Sequence, residues 1–175
     1  FCTAEDHYLP PDNVQLQPPA GTAHRTSPTN MGLALVSVLG AHALGIDNGR
    51  GLELAERMLT TMEQLPRWNG HFYNWYHTCT VDSGNCAAAL LTAANALRGW
   101  GRDELAARAQ ILCDGMDFGP LYDPQRRLMR IGIDTGSGKW SESYYDLLAS
   151  EARLTSYFAV ARGDVPREHW RALSR

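Results

Sequence analysis

Tyr144-Tyr145-Asp146-Leu147-Leu148-Ala149-Ser150-Glu151-Ala152-Arg153-Leu154 is the stretch on which the reading of the fold turns. Taken as a helix at about 100° per residue, it places Leu147, Glu151, Leu154 and Phe158 within roughly 60° of one another. That stripe faces a core, and an ionised carboxylate in a core is costly unless it is paired. A buried Glu151 is then either half of a structural ion pair or a catalytic proton carrier. Arg25, beside a helix start far upstream, is a natural partner for such an acid.

Working outward, the same 3.6-residue periodicity recurs along most of the chain. Ser27 is a suitable N-cap with Pro28 at the first helical position. This predicts a helix from Pro28 to about Leu44, stopped at Gly45. A second helix covers about Leu52 to Leu65, with Leu52, Ala55, Leu59 and Met62 as its buried stripe and Pro66 ending it. A third runs from near Ser83 to Trp100, and a fourth from about Asp103 to Gly115. The Tyr144 helix ends at Gly163, and a short last helix follows Pro166. Residues 1–30 lack helical periodicity, and Leu9-Pro10-Pro11-Asp12-Asn13 must be extended or turned, because proline excludes helix there. Leu121 to Trp140 reads as strand-like or irregular, with a glycine turn at Gly136 and Gly138. The expected class is all-α: antiparallel helix pairs joined by short links, long polar loops, and a small β-hairpin near 127–140.

Composition narrows the function. The chain has 175 residues, enough for one domain with a real core, and a net charge of −3. Lys139 is the only lysine, and no basic block appears, which argues against a nucleic-acid partner. No apolar run reaches the length of a membrane span. The chain opens at Phe1 without an initiator Met, so a piece of a larger protein is expected.

Several local signals weigh differently. Gly136-Ser137-Gly138-Lys139 fails as a phosphate loop, because Ile133 stands where a glycine is needed and Trp140 where a Ser or Thr is needed. A hairpin turn is the better reading. The six histidines form no metal pair one helical turn apart, and His42 reads as a satisfied residue on an apolar helix face. Cys2, Cys79, Cys86 and Cys113 contain no C-x-x-C pair; the spacing allows a Cys79–Cys86 disulfide, but free thiols are the favoured state.

The loop Gly70-His71-Phe72-Tyr73-Asn74-Trp75-Tyr76 admits two readings. Aromatic rings stack on sugar faces while Asn and His bind hydroxyls; equally, the rings could plug a helical core. Asp82-Ser83-Gly84-Asn85 and His24-Arg25-Thr26-Ser27 each precede a helix and serve either as caps or as hydroxyl-binding corners. These polar helix entrances, the aromatic loop and a helix-face Glu together favour one shared pocket.

These residues also carry a family likeness. LPPDNVQ (9–15), AHRTSPTNMG (23–32), GHFYNWY (70–76), VDSGN (81–85), MDFGPLYDPQRRL (116–128), SYYDLLASEARL (143–154) and GDVPREHW (163–170) resemble the glucoamylase-like central domain of bacterial cyclic β-1,2-glucan synthases. The matches run in one order over nearly the whole chain. The resemblance implies an (α/α)6 toroid and an enzyme that cuts a linear β-1,2-glucan and rejoins its ends with retention. It implies a partial toroid here, residues 1–175 being one domain whose C-terminal part is missing, with a second catalytic Glu in that part. It implies a larger parent synthase at the cytoplasmic side of the bacterial inner membrane, whose remaining domains are partners, and no cofactor or metal.

By the same resemblance, Glu151 in S-E-A-R matches the first catalytic carboxylate and would act as general acid/base. Burial against Leu147, Leu154 and Phe158 would raise its pKa towards that task. Tyr144, Tyr145 and Asp146 would orient sugar hydroxyls, Trp75 and Tyr76 would stack on a glucose ring, and His24, Arg25, Asp82, Ser83 and Asn85 would line the groove. The chain departs from the family in the short Thr78-Cys79-Thr80 link and the shortened stretch before Met116. Retaining chemistry needs two carboxyl groups about 5–5.5 Å apart, and this chain contributes one. The rival expectation is a non-catalytic glucan-binding or structural helical module.

Overall fold

A computed structural model describes residues 2–73, 75–78, 88–150 and 152–174, the side chains of 88–92 excepted. It divides into two compact units, Phe1–Met116 and Asp117–Arg175.

In the first unit, the helices α1 (Pro28–Ala43), α2 (Gly51–Gln64), α3 (Ala88–Gly99) and α4 (Asp103–Asp114) form the core. The Ser27 hydroxyl caps α1 by accepting from the Asn30 amide at 3.2 Å, and Gly45 ends its turn at a φ of +67°. α2 stops before Pro66, which cannot continue it. The seven- and three-residue links return the chain on itself, so α1 packs on α2 and α3 on α4, with α1 on α3 and α2 on α4 closing the set. Met31, Leu35 and Leu39 repeat every four residues down the inner side of α1. Ala55, Met58, Leu59 and Met62 of α2 and Leu105, Ala109 and Leu112 of α4 are buried with them. Each such Leu or Met contributes roughly 1.5–3 kcal/mol of burial. Ala93, Ala94 and Ala106 are small enough to let α3 and α4 approach closely.

Three small antiparallel pairs flank these helices: β1 (Val14–Leu16) with β2 (Pro19–Thr22), β3 (Arg25–Thr26) with β6 (Tyr76–His77), and β4 (Arg67–Trp68) with β5 (His71–Phe72). The last is a two-residue hairpin in which Asn69 and Gly70 both have positive φ, 46° and 77°. That conformation matches the strand twist and suits Asn-Gly. A Cβ on Gly70 would overlap the carbonyl of Gly115, so the hairpin tip lies directly on the end of α4.

The second unit carries a 3-10 turn (Gly119–Leu121), then β7 (Tyr122–Asp123), β8 (Leu128–Arg130), β9 (Ile133–Asp134), β10 (Lys139–Trp140) and β11 (Tyr144–Tyr145), followed by α5 (Arg153–Arg162) and α6 (Arg167–Ala172). β8 is the middle strand between β7 and β11, and β9 pairs with β10 across the Thr135–Gly138 turn. There Asp134 Oδ1 accepts from the amides of Gly136 and Ser137, which confirms a hairpin in place of a phosphate loop. Phe118, Leu121, Met129, Ala159, Val165 and Leu173 are buried together with Ser156 and His169.

The expectation of an all-α chain is corrected. Helix makes up less than half of it, and eleven short strands form five antiparallel sheets among the described residues. The deciding stretch is where the reading fails. Tyr144 and Tyr145 are a strand opposite Arg130 and Met129, Leu147 bridges to Ser174, and helix begins only at Arg153. The backbone groups of this segment have better partners than an isolated helix offers. The Ile131 amide donates to Ser143, the Leu148 amide to Ser174, and the Ser174 amide to Asp146. Ser143 and Ser150 add side-chain to backbone bonds of the kind that compete with helix, through Ser141 Oγ and the Leu147 carbonyl. Leu147 and Leu154 are 54% and 57% exposed, so the inferred apolar stripe is absent; α5 buries Ser156 and Ala159 instead, with Ala152 buried just before it.

Candidate functional site

In the first unit the β3–β6 ladder positions four of the residues expected at the site. Arg25 stands opposite His77, and Thr26 opposite Tyr76. Side chains alternate across a strand, so the ladder has two chemically different faces. Thr26, Tyr76 and Thr78 are fully buried, with His24 half-buried on the same side; Arg25, Trp75 and His77 are exposed on the other.

The inner face is a hydrogen-bonded knot. Asp6, 3% exposed, accepts from the Thr78 hydroxyl and lies 2.7 Å from His24 Nδ1. Burial alone would raise the Asp6 carboxyl, but the bonds from Thr78 and His24 outweigh it and hold the group below its ordinary range. The same bond raises His24 above the usual histidine value. Tyr76 is fully buried: its hydroxyl donates to the Pro66 carbonyl at 2.8 Å and accepts from the Tyr73 amide, and its ring meets Phe72 edge-on. A ring so enclosed has no face for a sugar. The aromatic loop is therefore divided: His71, Phe72 and Tyr76 plug the core, while Trp75 remains 43% exposed.

On the outer face, the Arg25 guanidinium lies 4.8 Å over the Trp75 ring. Arg25 donates from Nε and Nη2 to Asp12 Oδ2, at 3.3 and 3.1 Å. Asp12 also accepts from Asn30 Nδ2 at 3.1 Å and from Asn13 Nδ2 at 3.0 Å. The bond from Asn30 is the first cause of a lowered Asp12 pKa; Arg25 and Asn13 lower it further, against the opposing effect of burial. Arg25 thus pairs with Asp12, a partner that its place before a helix did not reveal. Asp6 and Asp12 are the acids that sequence reasoning missed.

In the second unit, Tyr144 donates its phenol to Asp123 Oδ2 at 2.7 Å, and Arg130 Nη2 donates to the same oxygen at 2.7 Å. The amides of Gln125 and Arg126 occupy Asp123 Oδ1. Asp123 is consequently held below the ordinary carboxylate range, first by Tyr144 and then by the Arg126 amide. The guanidiniums of Arg130 and Arg126 lie 5.1 and 5.8 Å over the Tyr144 ring. This saturated cluster locks the β7–β8–β11 sheet. Tyr145 is half-buried and Asp146 exposed, with the Asp146 carbonyl taken by Ser174. A groove of about 440 Å³ between α5 and α6 is lined by Tyr157, Val160, Ala161, Arg167, Trp170 and Arg171, none of them expected from the sequence.

Glu151, Asp82, Ser83, Asn85 and the Cys79–Cys86 pair lie outside the described residues. Cys113 is buried in α4. Among the described residues no group of three or more His, Cys, Asp or Glu is placed to hold a metal ion, and no helix is long and apolar enough to cross a membrane.

No family model matches the chain. Among curated proteins, the cyclic β-(1,2)-glucan synthase NdvB of Rhizobium meliloti (strain 1021) is 26% identical over 314 residues of alignment, covering all of this chain and 11% of the synthase. Among solved structures, a glucoamylase candidate of Bacteroides fragilis NCTC 9343 matches with a TM-score of 0.54 at 15% identity, over 76% of this chain and 36% of that one. One from Bacteroides caccae ATCC 43185 gives 0.52 at 16% identity, over 76% and 37%. The chain thus shares its fold with part of each and spans a small part of the synthase. Together the matches support a glucoamylase-like domain.

Proposed function

We propose that this chain is part of a glycosidase- or transglycosylase-type domain that acts on β-1,2-glucan, cutting the chain with retention and rejoining its ends. The observation that carries the reading is the likeness to the Rhizobium synthase, which runs over the whole chain. The fold shared with the two Bacteroides proteins supports the carbohydrate-active class.

In this reading Glu151 protonates the leaving glycosidic oxygen and then deprotonates the incoming sugar hydroxyl. The assignment rests on its place in the Ser-Glu-Ala-Arg string and no longer on an apolar helix stripe, since Leu147 and Leu154 are exposed. The nucleophile is a second carboxylate from another part of the parent polypeptide. Trp75 offers a ring for stacking and Arg25 donors for hydroxyls. Asp82, Ser83, Asn85, Tyr145 and Asp146 supply further polar contacts, while His24 serves the fold through its bond to Asp6. The remaining domains of the parent are partners, and the whole sits at the cytoplasmic side of the bacterial inner membrane.

The test is product analysis with the parent polypeptide. Linear β-1,2-glucan should yield cyclic products by mass spectrometry, while a starch glucan should be left intact. Cleavage of starch with β-1,2-glucan untouched would overturn the substrate assignment.

A further inference from the structure

The outer face of the β3–β6 ladder is built more carefully than a surface ion pair needs to be. An exposed Arg–Asp pair alone contributes little and costs side-chain freedom. Here Arg25 is constrained on two sides, by both nitrogens on Asp12 Oδ2 and by the Trp75 ring 4.8 Å away. Asp12 is itself held from the first turn of α1 by Asn30 and from the adjacent residue by Asn13. The result is a flat guanidinium backing an indole that keeps 43% of its surface exposed, and the Arg25 side chain is 57% exposed. A pre-placed ring with planar donors beside it suits one ligand chemistry: the C–H face of a pyranose stacks on the indole while its hydroxyls accept from the unengaged guanidinium hydrogens. Immobilised in advance, the pair loses little entropy on binding.

We infer that Asp12 is the positioning residue of a pyranose subsite formed by Arg25 and Trp75. This rests on the reading that the domain handles glucan and adds the group that orients its stacking platform. The subsite is confined to the outer face of the ladder. The Asp6–His24–Thr78 knot occupies the opposite face and belongs to the core of the unit.

The experiment measures the affinity of the parent polypeptide for linear β-1,2-gluco-oligosaccharides by calorimetry, together with Trp emission. Trp75→Ala and Arg25→Ala should each weaken binding about tenfold, a loss of one stacked, hydrogen-bonded contact. Asp12→Asn keeps the shape and the bond from Asn30 but releases Arg25. It should weaken binding several-fold and shift Trp emission, raising KM while kcat holds. Arg25→Lys should not restore affinity, because an ammonium lacks the planar fork. Trp100→Phe, away from the ladder, is the control. Asp12→Asn and Arg25→Ala proteins that fold and bind as tightly as the unsubstituted parent would overturn the subsite. Cleavage of glucan with affinity indifferent to Asp12 overturns the subsite alone. Affinity that depends on Asp12 without any cleavage overturns the enzymatic reading alone.

Discussion

Trp75 and Tyr76 are neighbours in sequence with opposite fates. One strand turns Trp75 to solvent beside Arg25 and Tyr76 into the core against Phe72. Composition alone could not separate them, because both rings suit either role; the alternation of side chains along the extended chain decides it. Tyr76→Phe should lower stability by about 1 kcal/mol in denaturant unfolding, since it removes the donor to the Pro66 carbonyl while leaving the ring packed. An effect on sugar affinity without one on stability would contradict the core assignment. Gly70 is the sharper case. Its positive φ and its contact with the Gly115 carbonyl leave no space for a methyl group. Gly70→Ala should cost about 2 kcal/mol or more in the same assay. Asn69-Gly70 was a legible hairpin signal, hidden by the aromatic residues that follow it.

At the scale of elements, the helices of the first unit were readable because cap, apolar period and stop signal agree: Ser27 and Pro28 open α1, Gly45 closes it, and Pro66 closes α2. The 144–154 stretch was misread because its apolar spacing mimics a helix while its backbone partners lie elsewhere, on β8 and at Ser174. Sequence periodicity cannot report partners so distant. Tyr144→Phe should loosen this sheet, with faster amide exchange at Met129 and Arg130, because Asp123 would lose the first of the bonds that hold it ionised. Asp47 tests a different element boundary. It accepts from the Gly49 and Gly51 amides at the start of α2 and lies 2.8 Å from His42 Nδ1. The His42 bond, followed by the two amides, brings its pKa down to about 2. A depressed carboxylate contributes stability above its unfolded pKa and loses that contribution as pH falls through the folded one. Between about pH 4 and pH 2 the unfolding midpoint should therefore drop, and Asp47→Asn should flatten that drop. An identical acid limb in the variant would show that the contact does not form in solution.

At the scale of the whole molecule, the ordered string of motifs carried more than periodicity did. It pointed to the glucoamylase-like class that the sequence and fold matches support, whereas periodicity overstated the helix. Strands of two or three residues are too short to show an alternating pattern, and ten of the eleven strands here are of that length. Arg25 and Trp75 could be singled out in the sequence, while Asp12, which holds Arg25, could not, because nothing in Pro-Pro-Asp-Asn names the distant Arg25 and Asn30 it binds. The central claim is that Glu151 moves the proton in β-1,2-glucan cleavage. It is tested most directly by measuring turnover of linear β-1,2-glucan by the parent polypeptide with Glu151 intact and with Glu151→Gln. Removing a general acid/base should reduce kcat by about a hundredfold or more with glucan affinity unchanged; turnover that survives the substitution would contradict the account.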